Sequence, residues 1–195
     1  MSRIKDLESR LETTEQELRL LQKISRLMAR EIQLDEALKI IVSLVVEFMQ
    51  CDSCLLYILQ GEELVLCSSN NPRPDTLGRV RLKLGEGLTG WVARERRLLS
   101  VSREAYLDSR FKLFTDLPED TYDAFLSAPV LLGNRVVGVV NVQHRDPHFH
   151  TGGEMELLTT VGEQVGCLVA LALMGTTALR TSEVLDRIMS PVRRA

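Results

Sequence analysis

The first residues whose spacing suggests chemistry are three glycines in the stretch RVRLKLGEGLTGWVARERR, residues 79–97. Gly85, Gly87 and Gly90 follow the pattern G-x-G-x-x-G. A dinucleotide-binding loop with this spacing brings backbone N–H groups to a pyrophosphate at a helix N-terminus. Glu104 also follows at about the separation, roughly 20 residues, where such folds place a ribose-binding acid.

The strand before these glycines argues against a nucleotide site. RVRLKL alternates Arg and Lys with Val and Leu, which is typical of a half-solvated strand, whereas the strand before a dinucleotide loop is a continuous apolar run. The helix that follows is also short for a crossover to a parallel neighbour. We therefore expect the glycines to form a turn from a strand into a short helix.

Two cysteines, Cys51 and Cys54, have the C-x-x-C spacing of a zinc knuckle or a redox couple. A structural zinc site needs two more ligands at comparable spacing, and the sequence offers none. The pair follows the apolar segment LDEALKIIVSLVVEFM, and the C-terminus of a helix favours the protonated thiol. We expect two small, half-buried residues at a turn, and we keep a small redox enzyme as an alternative.

The histidines form a third group, since HRDPHFH places His144, His148 and His150 near Asp146. Imidazole and carboxylate groups are ligands for zinc and iron. These residues fall between the last strand and the last helix, where exposed histidines are common. We expect no metal there, and no order of Ser, His and Asp or pair of carboxylates predicts a catalytic site.

Composition limits the other function classes. A chain of 195 residues with 45% apolar and 26% charged residues is typical of one globular domain with an appended helix. The net charge of −3 gives no reason to expect nucleic-acid binding. The apolar windows LKIIVSLVVEFM and CLVALALM are short or interrupted, so we expect no membrane span and a cytoplasmic location.

The N-terminal segment carries a heptad pattern over residues 3–32. The a and d positions are Ile4, Leu7, Leu11, Thr14, Leu18, Leu21, Ser25, Met28 and Ile32. In a parallel dimer, opposite charges meet in the pairs Arg3 with Glu8 and Arg10 with Glu15. The pattern predicts a coiled-coil dimerisation helix over residues 1–33, with a lone amphipathic helix folded onto its own domain as the alternative.

The central segments predict an antiparallel sheet. A helix over about 34–50 precedes two hairpins, SCLLYILQ with ELVLCSS and AFLSAPVLL with RVVGVVNVQH, the second joined by Gly133 and Asn134. Between them lie RVRLKL, a short helix LTGWVARERR, a short strand LLSV and a helix or helical loop REAYLDSRFKLF. The last strand is apolar on both faces, with Val136, Val140 and Val142 on one and Val137 and Val139 on the other. Such a strand needs helices on both faces of its sheet.

The last predicted helix opens at a capping box formed by Thr151 and Glu154. Its segment EMELLTTVGEQVGCLVALALM has more apolar positions than one sheet face can cover, so we expect a second chain to cover the surplus. Leu158 and Leu171 are the positions that we expect in this dimer interface. Residues 176–195 are expected to be a helical extension or a linker.

The order of the motifs resembles the GAF domain family over about residues 34–175. The resemblance is carried by LGEGLTGWVARERR, by YLDSRF and by AFLSAPVLLGNRVVGVVNVQHRDPHFHTGGEMELLTTVGEQVGCLVA. In wording, these segments are most similar to the GAF module of the nitrogen-branch phosphoenolpyruvate-protein phosphotransferases. The resemblance implies an α+β fold, an α/β/α sandwich around a six-stranded antiparallel sheet, with a small-molecule pocket on the face opposite the terminal helices.

The resemblance also implies where ligand-binding residues lie. The pocket lies under the short helix after the glycines and under the segment around YLDSRF, and AFLSAPVLL adds two further positions. The candidates are Trp91, Tyr106, Asp108, Phe111, Phe125 and Ser127. The alternative for each aromatic is an ordinary core position. Methionine sulfoxide reductases and bilin-binding members use cysteines in this region, and residues 78–134 contain none. Cyclic-nucleotide-binding members have Lys and Asp where this chain has Val142 and Gly153.

These observations favour a non-catalytic sensory or regulatory module that binds an unknown small molecule and signals as a homodimer through its terminal helices. The main alternatives are the redox enzyme at Cys51 and Cys54 and an interaction module whose pocket is filled by its own side chains. The sequence leaves the ligand and any cofactor unassigned, because the pocket of this fold is built from variable loops.

Overall fold

The computed structural model describes residues 2–30, 32–70, 76–111, 122–173 and 179–180. The helices in this part are α1 Ser2–Met28, α2 Leu34–Met49, α3 Gly87–Glu95 and α4 Gly152–Leu173. The strands are β1 Ile32–Gln33, β2 Ser53–Gln60, β3 Glu63–Ser69, β4 Arg81–Lys83, β5 Leu99–Val101, β6 Ala124–Leu132, β7 Arg135–His144 and β8 Leu179–Arg180. A 3₁₀ turn, Ala105–Leu107, lies within the predicted helical loop.

Six of these strands form one antiparallel sheet in the order β4-β3-β2-β7-β6-β5. Both predicted hairpins are present, and two residues, Gly133 and Asn134, connect β6 to β7. The segment RVRLKL forms only a three-residue strand at the sheet edge, with Leu82 buried between exposed Arg81 and Lys83. The predicted six-stranded antiparallel sheet is thus confirmed.

The two faces of the sheet pack against different helices because side chains alternate along each strand. In β2, Cys54 and Leu56 join the main core with α1, α2 and α4. Their neighbours Leu55 and Tyr57 face the other way, toward α3 and β4. The structure is therefore an α/β/α sandwich in the α+β class, as predicted.

A β-bulge in β7 corrects the predicted faces of two valines. Val130 pairs with Gly138 but Leu131 pairs with Val136, so one extra residue, Val137, is inserted in β7. Consequently Val137 packs with Val140 against the main core, and Val136 packs toward α3. Both faces of the strand are apolar as predicted, but strict alternation assigned Val136 and Val137 to the wrong sides.

The C-terminal part of helix α1 does not bury the predicted heptad positions. Beyond Leu18 its buried residues are Leu20, Ile24 and Leu27, which lie in the core of the same chain, and Leu21 is partly buried against that core. Each of these three buried residues lies one position before a predicted a or d residue, so the predicted seam does not continue through residues 20–28. In the first half the apolar positions stay exposed: Ile4 by 62%, Leu7 by 54%, Leu11 by 60% and Leu18 by 54%.

Helix α4 begins at the predicted capping box. The Thr151 N–H donates to the Glu154 carboxylate at 2.7 Å, and the Glu154 N–H donates to the Thr151 hydroxyl at 3.2 Å. Leu158, which we expected in a dimer interface, has 0% exposure and lies in the core of its own chain, so it is not available to a second chain. Leu171 is partly buried against the same core.

Two further features concern the C-terminal part of the chain. Among the described residues, α4 alone has the length and apolar composition of a membrane span, but 56% of that window is buried within the fold, as in the core helix of a soluble protein. In the predicted C-terminal extension, Leu179 and Arg180 form strand β8, which pairs in parallel with β1. The rest of the predicted extension or linker, residues 176–178 and 181–195, lies outside the described residues.

Candidate ligand site beside Trp91

The glycine loop is closed by its own hydrogen bonds. The Gly85 N–H donates to the Gly90 carbonyl at 2.8 Å, and the Glu86 carboxylate accepts from the Lys83 N–H at 2.8 Å. Gly85 and Gly87 have φ of +85° and +67°, the left-handed region that favours glycine. The strand before the loop pairs antiparallel with β3. The loop is therefore a strand-to-helix turn, as expected, and not a phosphate cradle.

This turn begins α3, which carries Trp91 on the face of the sheet opposite the main core. Trp91 is partly buried against the α3-side core, and the guanidinium of Arg110 lies 4.7 Å from the centre of its ring. A guanidinium within about 6 Å of an aromatic face is attracted to the ring. One face of the indole is thus covered by a cation.

Arg110 is held in place by Asp108. Its Nε donates to Asp108 Oδ1 at 2.9 Å and its Nη2 donates to Oδ2 at 2.6 Å, a bidentate pair. This side-chain hydrogen bonding lowers the pKa of the Asp108 carboxyl and raises the pKa of Arg110. The site therefore combines an aromatic surface with a fixed cation and anion.

The segment that carries this pair is anchored at its start by Asp123, just before β6. The Asp123 carboxylate accepts from the Glu104 N–H at 2.8 Å, and its carbonyl accepts from the Ala105 N–H at 2.9 Å. Glu104 has φ of +52°, which is strained for a residue with a side chain. Asp123 therefore holds the 102–111 segment above the sheet.

The predicted aromatic residues take three different environments. Phe125 is buried and packs with Leu88 and Ala105, and Phe111 is partly buried against the same cluster. Trp91 belongs to the neighbouring cluster that includes Val92 and Leu99. Tyr106 is 41% exposed. The structure thus brings Trp91, Asp108 and Phe111 to one side of the sheet and leaves Tyr106 at its surface.

Ser127 has a different role from the one predicted. It is completely buried, and its hydroxyl donates to Asn141 Oδ1 at 2.7 Å. Asn141 Nδ2 in turn donates to the Thr89 hydroxyl at 2.8 Å. Because these bonds join β6, β7 and α3, we revise the role of Ser127 from ligand contact to holding α3 on the sheet.

The cysteines that carried the redox alternative are buried. Burial raises the pKa of the Cys51 thiol to about 12 and raises that of Cys54 well above its usual value. Cys51 follows the C-terminus of α2, as predicted. Since the thiolate is the reactive form, neither residue has the environment of a catalytic cysteine.

Sequence reasoning missed Arg110 and the link through Thr89. Arg110 follows Asp108 by two residues in YLDSRF, so the sequence shows two opposite charges close together. Outside a helix or strand, however, a two-residue spacing does not predict whether two side chains meet. Thr89 lies 52 residues from Asn141, and only the fold brings them together. The three histidines, by contrast, are brought together as their spacing suggested.

A family model spans the sheet and the helices that surround it. The family model of the GAF domain matches residues 33–169, which covers the sheet, α2, α3 and most of α4. The chain belongs to the GAF domain family. The predicted resemblance is thereby confirmed.

Solved GAF domains show the same architecture. The GAF domain of an Acinetobacter phosphoenolpyruvate-protein phosphotransferase is 27% identical with a TM-score of 0.72, and the comparison covers 82% of this chain and 96% of that one. The corresponding GAF domain from Coxiella burnetii is 26% identical with a TM-score of 0.77, covering 83% and 96%. The similarity to phosphotransferase GAF modules is also as predicted.

More distant relatives share only the fold. A free methionine-R-sulfoxide reductase from Neisseria meningitidis, solved in complex with its substrate, is 15% identical with a TM-score of 0.68, covering 80% of this chain and 90% of that one. No curated protein sequence matches the chain. GAF domains are generally sensory or regulatory modules, and this GAF domain has the fold that such modules use.

Proposed function

We propose that this GAF domain is a non-catalytic, cytoplasmic sensory module that binds a small molecule beside Trp91 and signals as a homodimer. The observation that carries the proposal is the indole of Trp91, partly buried and covered by the guanidinium of Arg110 at 4.7 Å. Binding sites typically combine an aromatic surface with a few fixed polar groups. The ligand contacts Trp91, Arg110 and Asp108, with Phe111, Phe125 and Tyr106 around them.

The fold offers a route from this site to the long helices through β6. Phe125 faces the ligand side, and the next residue, Leu126, faces the core with α4. On that face α4 lies so close that a Cβ added at Gly162 would come within 2.8 Å of the Pro129 carbonyl oxygen. A shift of β6 therefore moves the backbone against which α4 packs, which supports transmission from ligand to helix.

The ligand part of the proposal is tested with the intrinsic fluorescence of Trp91, the only tryptophan in the chain. The full chain purified from cells is first examined by native mass spectrometry for a bound mass. It is then titrated with single amino acids, 2-oxo acids and mononucleotides. We expect one compound to bind at one site per chain and to change the emission of Trp91.

Matched variants locate the binding. Arg110→Ala and Asp108→Asn should each weaken binding about 10-fold or more, because each removes a charge-assisted hydrogen-bonding group. Arg103→Ala is the control, since Arg103 is exposed in the same segment. Protein that carries no ligand and binds none of the compounds would contradict the sensor and favour the interaction module filled by its own side chains. Equal loss in Arg103→Ala would contradict the location.

The dimer part of the proposal is supported by the exposed apolar residues of α1. Ile4, Leu7, Leu11 and Leu18 are all more than half exposed although they share one heptad seam. The next heptad position, Leu21, is partly buried against the core of its own chain and marks the end of this exposed stripe. A second copy covers the stripe as a parallel coiled coil, with Leu171 of α4 at the margin of the interface.

Sedimentation velocity over a range of protein concentrations tests the dimer. We expect the wild-type chain to be dimeric and Leu11→Lys to weaken association by at least 10-fold, because it places a charge in the seam. Glu12→Lys changes an exposed residue at heptad position b, outside the seam, and should leave association unchanged. A monomeric wild-type chain, or equal effects of the two substitutions, would refute the proposed seam and leave the ligand site untouched.

A further inference from the structure

The three histidines of the chain gather between β7 and the start of α4. His144 ends β7, and His148 and His150 precede α4. One ring nitrogen from each lies within 4.8 Å of the others. The rings of His144 and His148 stack with centres 4.0 Å apart, and His150 meets His148 edge-on at 4.9 Å. All three imidazoles therefore form one cluster.

Two nitrogens of this cluster are buried without partners. The Nε2 atoms of His144 and His150 have no hydrogen-bond partner among the described residues. A buried polar atom without a partner normally lowers the stability of the folded protein by about 1–3 kcal/mol. These atoms are suited to accept a metal ion.

The groups around the cluster orient the rings and add negative charge. His150 Nδ1 lies 3.0 Å from the Ser100 hydroxyl, which leaves Nε2 as its ligand atom. His148 Nε2 lies 2.8 Å from the Glu154 carboxylate. Metal-binding histidines usually pair their other nitrogen with such a group. Asp52 and Glu154 are both close enough to act electrostatically on His144.

We propose that His144, His148 and His150 bind one divalent transition-metal ion through His144 Nε2, His150 Nε2 and His148 Nδ1. Glu154 acts as the carboxylate that orients His148. Three imidazoles with one remaining position suit a zinc-class ion. This site differs from the expectation of no metal at these histidines, and it uses none of the residues assigned to the ligand site beside Trp91.

Binding requires a local rearrangement that the geometry defines. In a tetrahedral site with metal–nitrogen distances of about 2.0–2.1 Å, ligand nitrogens lie about 3.3 Å apart, so the cluster must contract. The ion also lies in the plane of each ring, and two stacked rings cannot both meet this condition. His148, whose side chain is 35% exposed, has room to turn. The stack between His144 and His148 therefore opens when the ion binds.

The site is tested on the full chain after removal of metal with a chelator and dialysis. Zn²⁺ is titrated by calorimetry, and the imidazole nitrogens are followed in long-range ¹H–¹⁵N spectra. We expect one Zn²⁺ per chain and a shift of one nitrogen in each of the three rings. Because the chain contains only three histidines, each ring is resolved separately.

Variants distinguish this site from surface binding. His148→Gln, at a partly exposed position, should lower the affinity about 100-fold or more, and Glu154→Gln should lower it about 10–100-fold. Glu154→Gln is informative because glutamine also completes a capping box, so α4 retains its start. Asp146→Asn in the same loop and Cys167→Ser, an exposed thiol, should leave binding unchanged.

Several outcomes would overturn the proposal. These are no saturable binding, several weak sites characteristic of an adventitious ion only, and unchanged affinity in His148→Gln. Binding without a shift of the ring nitrogens would place the ion elsewhere and would equally refute the site. Thermal denaturation of each metal-free variant verifies that it is folded, so a loss of binding reports on the ligands.

Discussion

Helix propensity predicts that Gly166→Ala stabilises the protein, whereas the packing of the fold predicts that it destabilises the protein. Gly166 lies inside α4, where alanine normally stabilises a helix by about 1 kcal/mol relative to glycine. In this fold a Cβ at Gly166 would overlap the carbonyl oxygen of Leu131 in β6. The obstacle is backbone, which cannot rotate away as a flexible side chain can.

The magnitude follows from comparing three glycines of the same helix. Overpacking in a close-packed core costs about 1–3 kcal/mol, and a clash with backbone lies at the upper end. Subtracting the propensity gain of about 1 kcal/mol predicts that Gly166→Ala lowers the free energy of unfolding by about 2 kcal/mol. At Gly162 the added Cβ would lie 2.8 Å from the Pro129 oxygen, against 3.4 Å for ordinary contact, so we expect a smaller loss. At Gly152 nothing lies within 4 Å, and alanine should be neutral or slightly stabilising.

Urea denaturation followed by circular dichroism measures the three variants against wild type. The expected order of stability is Gly152→Ala, then Gly162→Ala, then Gly166→Ala. A loss of about 2 kcal/mol corresponds to a Tm about 4–8 °C lower for a chain of this size. If Gly166→Ala equals or exceeds Gly152→Ala in stability, α4 does not approach β6 this closely and the packing argument is refuted.

Three further predictions concern the buried polar link, the thiols and the charged pair. Asn141→Ala should lower the free energy of unfolding, measured by urea denaturation, by about 2–3 kcal/mol, because it leaves the buried hydroxyls of Ser127 and Thr89 without this partner. A loss below about 1 kcal/mol would contradict the link. In the native protein a thiol reagent should modify exposed Cys167 rapidly and the other three cysteines only after unfolding, and a second fast thiol would contradict their burial. Hydrogen bonding to Arg110 lowers the pKa of Asp108 in the folded protein. The pair therefore stabilises the fold above the ordinary carboxyl pKa of about 3.9, and this stabilisation is lost as the pH falls through the pKa of Asp108 in the folded protein. Wild type should therefore exceed Asp108→Asn in stability at neutral pH, with a difference that shrinks in acid; a difference independent of pH would refute the pairing.

Much of the fold could be predicted because its elements carry local patterns. The two hairpins are marked by short polar turns between apolar runs, and the capping box of Thr151 and Glu154 marks the start of α4. The glycine pattern was correctly separated from a nucleotide loop because the alternation in RVRLKL indicated a partly solvated strand. In each case the evidence lay within a few residues of the feature that it predicted.

The errors arose where neighbouring elements override a local pattern. The heptad of α1 continues through Leu21 in sequence, but the core of the same chain instead buries Leu20, Ile24 and Leu27. The bulge at Val137 reverses the faces of two valines, and nothing in RVVGVVNVQH marks its position. The close approach of Gly166 to Leu131 likewise depends on how α4 lies across β6.

The sequence by itself therefore determined the order of the elements, the antiparallel hairpins, the family and the segments that carry the candidate sites. Those features depend on hydrophobic periodicity, turn residues and caps, which act over short distances along the chain. Only the tertiary structure decided that Arg110 covers Trp91, that Ser127 is joined to Thr89 through Asn141, and that two histidine nitrogens are buried without partners. These relations join residues from different elements, and their distances and burial exist only after the sheet and helices have packed.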